Sequence, residues 1–167
     1  MNAEQRPALE AMVFENARGR DFLEIAELDR RAWLDNRNPE FIPDGEHVWR
    51  IWVDGAWVHV VRDGTRIAGA ILAFPTRNGA LCVHKVMVDK SWRGLGIGTR
   101  LFESLLAEVD RSLGAACYLT VDPANAAALK LYEKWGFTER QFHAGYYREH
   151  EDRYVLTRPA GRAVDGR

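Results

Sequence analysis

The chain has 167 residues, 47% of them hydrophobic and 28% charged, with a formal net charge of −1. This is the make-up of one globular domain large enough for a real core, and its charge balance offers no basic field to nucleic acid or to an anionic membrane. No apolar run approaches the ~20 residues of a membrane span, and the polar start MNAEQRPALE has no signal-peptide core.

A single domain over 1–167 is therefore expected, with its core over about 11–157 and flexible ends at 1–9 and 159–167. Residues 11–15 (AMVFE) read as a short strand. Asp21 suits the N-cap of a helix through about Trp33, along which Phe22, Ile25, Leu28 and Ala32 share one face. The turn-rich stretch 35–45 reads as an irregular loop. Residues 46–53 (EHVWRIWV) suggest a second helix, with Val48, Ile51 and Trp52 on one side. Strands follow at 57–62 and 65–74, joined by the hairpin signal Asp63-Gly64.

Next comes an apolar strand at 82–88, a loop at 89–92, a glycine-rich turn at 93–98 and a helix at 99–112. Leu101, Leu105, Val109 and Leu113 stripe that helix for packing on a sheet, and Gly114 ends it. The strand at 116–121 is reached by a strand–helix–strand crossover, so it is expected to run parallel to 82–88. A helix from Asn125 to about Trp135 follows, then strands at 137–141 and 154–156, with 143–152 partly extended between them. Cys82 and Cys117 lie in core strands and read as buried, reduced thiols, which suits the cytoplasm.

Several chemistries are poorly supported. None of Ser91, Ser104 and Ser112 sits in a G-x-S-x-G elbow. The five histidines show no HExxH, no Cys/His spacing suits zinc, and no metal is expected.

The glycine turn carries the clearest chemistry. Gly94, Gly96 and Gly98 on alternate positions let backbone approach a ligand, and the following helix turns its unpaired N–H groups and positive dipole end to the same place. That is an anion site, most naturally for a pyrophosphate. It is not a dinucleotide fingerprint, because Thr99 stands where the third glycine belongs. It is not a P-loop either, since no Lys follows these glycines. The motif present is R-x-x-G-x-G, Arg93 to Gly98, preceded by Val86-Met87-Val88. It resembles the acetyl-CoA-binding signature of the GNAT superfamily of N-acetyltransferases. Residues 119–137 (LTVDPANAAALKLYEKWGF) independently resemble that superfamily's second signature.

The resemblance implies an α/β (α+β) GNAT-like domain: a mixed sheet of six to seven strands, about four helices and a splayed parallel pair at its centre. It implies acetyl-CoA as cosubstrate, bound by Val86, Met87, Val88, Arg93, Gly94, Leu95, Gly96, Ile97, Gly98, Thr99, Asn125 and Tyr132. Asn125 would bond the pantetheine arm, although a plain helix N-cap is the competing reading. Tyr132 would protonate the leaving thiolate, against a role in core packing. His84, on the same strand face as Val86 and Val88, is the candidate base, against a satisfied structural histidine. Lys85 faces the other way and departs from the acidic residue of polyamine acetylators.

The implied reaction is N-acetylation of a primary amine on a small molecule or peptide. A protein N-terminal or lysine acetyltransferase and a non-catalytic acyl-CoA-binding module are the rivals. The acceptor is expected against 35–53 and 142–153, where Tyr146, Tyr147, Glu149, Glu151 and Asp152 lie and Trp49, Trp52 and Trp57 are candidate walls. A homodimer would cover exposed edge strands and tryptophans.

Overall fold

The computed structural model describes residues 9–34 and 42–161. The expected lead-in at 1–8, most of the loop 35–45 and the tail from 162 lie outside the described residues. The chain divides into two compact units: Met1–Phe74 with Lys85–Glu108, and Pro75–His84 with Val109–Arg167. Two strands, one of them only by its last residue, and one helix belong in part to each.

In the first unit, β1 (Val13–Asn16) is followed by a 3-10 turn at Gly19–Asp21 and by α1 (Phe22–Leu34). The helix is rich in Leu, Glu, Ala and Arg, good helix formers, and it buries Ile25, Ala26 and Leu28. Asp21 is not its N-cap. It closes the 3-10 turn, where its buried carboxylate accepts from the Arg18 N–H at 2.7 Å and from Arg62 at 2.5 Å. A buried carboxylate needs such partners, and the Arg62 cation claims it.

Helix α2 (Glu46–Gly55) forms where expected but turns a different face inward. Ile51 is 69% exposed and Val48 is exposed too, whereas Trp49 is fully buried. Its indole Nε1 donates to Asp29 at 3.0 Å, and its ring meets Trp52 edge-on at 5.3 Å. The largest apolar side chain with a polar partner in reach decides the orientation of the helix.

β2 (Trp57–Asp63) and β3 (Arg66–Pro75) form an antiparallel hairpin whose turn glycine, Gly64, has φ +57°. Alternation divides β2 between two layers. Val58 and Val60 join the cluster of Ile25, Leu28 and Trp49, while His59 lies 2.9 Å from Ser104 of α3 (Ile97–Ser112). Both faces being covered, β2 and β3 read as continuous apolar runs. A Cβ on Gly69 of β3 would come within 2.9 Å of the Met87 carbonyl of β4 (Leu81–Val88), so only glycine allows this approach. In α3, Leu101, Leu105 and Val109 are buried as the stripe requires, but Leu113 is half-exposed. It lies past the end of the helix, where Gly114 at φ +57° reverses the chain.

In the second unit, β5 (Cys117–Val121) runs parallel to β4, registering Leu81 with Cys117 and Cys82 with Tyr118. It pairs antiparallel with β7 (Arg153–Arg158), which pairs antiparallel with β6 (Glu139–His143). The seven strands follow the order β1-β2-β3-β4-β5-β7-β6. With α4 (Ala126–Lys134) the described residues form four α-helices and a mixed sheet, as the resemblance implied.

β6 starts two residues later than expected, because Gly136 at φ +87° closes α4 and Phe137 is buried beneath the turn. The connection 143–152 is in strand only at His143, the last residue of β6. It folds on itself, with the Tyr146 N–H donating to Glu151 at 2.9 Å and the Glu151 N–H to Arg148 at 2.8 Å. Both cysteines are free thiols, and burial pushes both upward in pKa.

Candidate active site

The glycine turn is held from both ends in the first unit. Before it, the Asp89 N–H donates to Ala68 at 2.9 Å, and its carboxylate accepts from the Ser91 N–H at 3.0 Å. Arg31 approaches that buried carboxylate at 3.1 Å, and Trp92 is buried. After it, α3 makes its first bond from the Arg100 N–H to the Gly96 carbonyl at 3.1 Å. The N–H groups of Ile97, Gly98 and Thr99 therefore precede the helical ladder and point out of its start.

Gly94 and Gly96 have φ +84° and +77°, the left-handed region, and a Cβ on either would meet nothing within 4 Å. The backbone there is thus bent by glycine and bare on its outer side. No acidic residue occupies the first turn of α3, and Arg93 donates from Nε to the Val88 carbonyl at 3.1 Å. Outward-facing backbone N–H groups at a helix start that carries no acid in its first turn suit a diphosphate. Gly98 differs from its neighbours: it lies inside the helix, and a Cβ there would sit 3.8 and 3.9 Å from Val88 and Val86. The structure so brings together the turn and the β4 edge.

Burial alternates along β4. Lys85 and Met87 are buried while His84 and Val86 are exposed, which fits the expected faces of His84 and Val86. Beneath, Lys85 Nζ lies 3.0 and 2.8 Å from the two Asp29 oxygens and pairs with Asp44. Trp33 and Trp49 present their rings to the same ammonium at 5.1 and 6.0 Å. Asp29 also accepts from the Asp44 N–H at 3.0 Å. This buried cluster fastens α1, the entry to α2 and β4, and nothing in a lone Asp or Lys of the sequence announces it. It makes Trp49 a core residue rather than a pocket wall. Trp52 is stacked on Phe74 at 6.1 Å.

In the second unit, Asn125 is the N-cap of α4, its side-chain oxygen accepting from the Ala128 N–H at 3.1 Å. Tyr132 is half-buried, against Trp135 and Phe137 at 6.3 and 6.0 Å between ring centres, and burial raises its pKa. Burial thus disfavours the phenolate.

The face of β4 and β5 that carries His84 also carries Cys82, Tyr118 and Thr120, by alternation. Tyr118 exchanges a hydrogen bond with the Cys82 thiol, and burial, followed by that thiol, pushes its pKa up to about 12. Thr120 Oγ1 lies 2.8 Å from Tyr147 Oη. Sequence reasoning missed Tyr118 and Thr120, whose only signal was the period of two in CYLTV. Of the acids of the neighbouring connection, Glu149 and Asp152 are exposed and Glu151 is withdrawn from solvent. Glu151 is buried, 2.7 Å from Arg148 and 3.5 Å from Arg153, and Asp152 accepts from the Gly145 N–H at 2.9 Å. Among the described residues no group of His, Cys, Asp and Glu is arranged to hold a metal, and no helix is long and apolar enough to cross a membrane.

The family model described as the acetyltransferase (GNAT) family matches residues 22–137, more than half of the chain. The chain belongs to the GNAT acetyltransferase family. Among GNAT relatives it is 40% identical over 80 residues to the N-alpha-acetyltransferase RimI of Mycobacterium tuberculosis, covering 47% of this chain and 49% of that protein. The chain thus spans about half the length of the curated relatives it matches. The GNAT fold extends further than the sequence likeness. The crystal structure of the ribosomal-protein-S18-alanine N-acetyltransferase from Escherichia coli superposes with a TM-score of 0.76 at 21% identity, covering 93% of this chain and 98% of that one. Another GNAT structure, yncA from Salmonella typhimurium with its cofactor acetyl-CoA, superposes at 0.74 with 19% identity over 93% and 98%.

Proposed function

We propose that the protein transfers an acetyl group from acetyl-CoA to a primary amine of a small molecule or peptide by direct attack. The observation that carries this reading is the bare, glycine-bent turn at the start of α3, with Arg93 beside it and no acid in the helix's first turn. Its residues fit a coenzyme diphosphate. The amides of Leu95 to Thr99 would hold the phosphates, the exposed edge at Val86–Val88 would pair with the pantetheine arm, and Asn125 would bond the same arm. Acetyl-CoA brings the activated acyl group.

The rest falls to the protein's own groups. An alkylammonium, pKa ~10, must lose its proton before it can attack. His84, exposed on β4, is assigned that proton, directly or through water. A backbone N–H at Met87 or Val88 is assigned to polarise the thioester carbonyl. Tyr132, whose phenolate burial disfavours, is assigned to protonate the departing sulfur. A peptide or protein N-terminus is the favoured acceptor among the alternatives, because the chain's 40%-identical relative is an N-alpha-acetyltransferase. The same reading places the protein in the cytoplasm, and a homodimer would cover an exposed edge strand.

Calorimetric titration with acetyl-CoA, followed by thiol release against amino acids, diamines and short peptides, tests the reading. Micromolar binding with turnover on one class is expected. No association at millimolar coenzyme would overturn it, and binding without turnover on any amine would leave only a binding module.

A further inference from the structure

We infer that helix α1, which lends no residue to the proposed coenzyme site, positions the glycine turn through a charged brace from Arg31 to Asp89, and that bound coenzyme steadies α1 in return. The inference rests on the acetyl-CoA reading of the turn and assigns positioning residues to it.

The brace follows from how Asp89 divides its two carboxylate oxygens. Oδ1 accepts from the Ser91 N–H at 3.0 Å and so caps the short 3-10 turn Lys90–Trp92 that leads into Arg93. Oδ2 faces two guanidiniums, Arg31 of α1 at 3.1 Å and Arg66 of β3 at 3.5 Å. The side chain is only 8% exposed, so these partners stand in for water. The backbone is tied as well: the Asp89 N–H donates to Ala68 and its carbonyl accepts from the Trp92 N–H, both at 2.9 Å. Every bond that fixes Asp89 therefore fixes the point from which the turn departs.

Helical period brings α1 to this point. Glu24 and Arg31 are seven residues apart, two turns of one face. Glu24 accepts from the Ile67 N–H at 2.7 Å, between Arg66 and Ala68 of β3, and Arg31 meets Asp89 two turns further on. From another face of the same helix Asp29 holds Lys85 of β4. The helix is thus tied both to the lead-in of the turn and to the strand whose edge is assigned the pantetheine arm. Arg66 is the lesser partner, more exposed and laid over the Trp92 ring at 4.8 Å. A site made of backbone amides has no side chains to adjust, so its affinity depends on where the chain is held beforehand.

The test is calorimetric titration of acetyl-CoA into the full chain and its variants, with thermal melting to confirm folding. Asp89→Asn keeps an oxygen for the Ser91 N–H but turns an NH2 group toward Arg31, and should raise the acetyl-CoA Kd about fivefold. Arg31→Ala should raise it about threefold, and Arg31→Lys should hold it within about twofold of native. Arg31 is 40% exposed, so its variants keep the test open if Asp89→Asn melts early. Adding Arg31→Ala to Asp89→Asn should cost no further affinity, because the partner is already gone. The kcat at saturating acetyl-CoA should stay near native, a split that general loss of structure does not give. Reciprocity requires that acetyl-CoA slow amide exchange along α1 in the native protein, and much less in Asp89→Asn. An unchanged Kd in folded Asp89→Asn and Arg31→Ala would overturn the inference, as would additive losses in the pair or α1 exchange indifferent to coenzyme. A native protein that binds no acetyl-CoA would instead sink the acetyltransfer reading and this one with it.

Discussion

The turn from Arg93 to Thr99 and the connection from Gly145 to Asp152 are both glycine-punctuated segments joining regular elements, yet they are built on opposite principles. The first presents backbone: Gly94 and Gly96 bend it and leave nothing above it, and the start of α3 supplies the N–H groups. The second presents side chains, with Tyr147 bonded to Thr120 and Glu151 gripped by arginines. A site made of backbone needs few residue types at fixed spacing, so it leaves a short signature. A site made of side chains depends on which strand they meet, and no local pattern records that.

The sharpest way to break the comparison is to remove the buried support beneath β4. Lys85→Met leaves Asp29 and Asp44 without their counter-charge, and Asp29 is fully buried. A stability loss of about 3–5 kcal/mol is expected in urea unfolding, with partial recovery in the Lys85→Met/Asp29→Asn pair. At the backbone-built turn, Gly96→Val forces a β-branched residue to φ +77°. Acetyl-CoA affinity by calorimetry should fall at least tenfold, and an unchanged Kd would show that the turn does not hold the coenzyme.

On the side-chain-built side, Tyr132→Phe should lower kcat at least tenfold with acetyl-CoA affinity nearly intact, as measured by steady-state kinetics beside calorimetry. The smallest effect is expected from Arg158, whose guanidinium holds Asp110 through two 2.7 Å bonds and keeps that carboxyl below its ordinary range. The folded pKa is lowered, so the contribution is present above the unfolded carboxylate value of ~4 and fades as pH falls through the folded one. The melting-temperature gap between the native protein and Arg158→Ala should therefore close on acidification from pH 6 to pH 2.

Much of the fold was legible. The elements came from hydrophobic period and from Gly64, Gly114 and Gly136 as punctuation, and R-x-x-G-x-G identified the family. Two readings failed for one physical reason. Asp21 was claimed by Arg62, and α2 was turned by Trp49 reaching Asp29. In both a distant polar or charged partner overrode a local preference, whereas residues 144–151 turn back through their own main-chain bonds. The roles of Asn125 and Tyr132 were proposed from resemblance. The structure adds that Asn125 caps α4 and that burial raises the pKa of the Tyr132 phenol.

Helix α4 has no fully buried side chain along its nine residues, so little apolar contact anchors it. Its amides should exchange with solvent faster than those of α3, which hides Leu101, Leu105 and Val109. The helix that carries Tyr132 should thus open locally while the β-sheet stays intact.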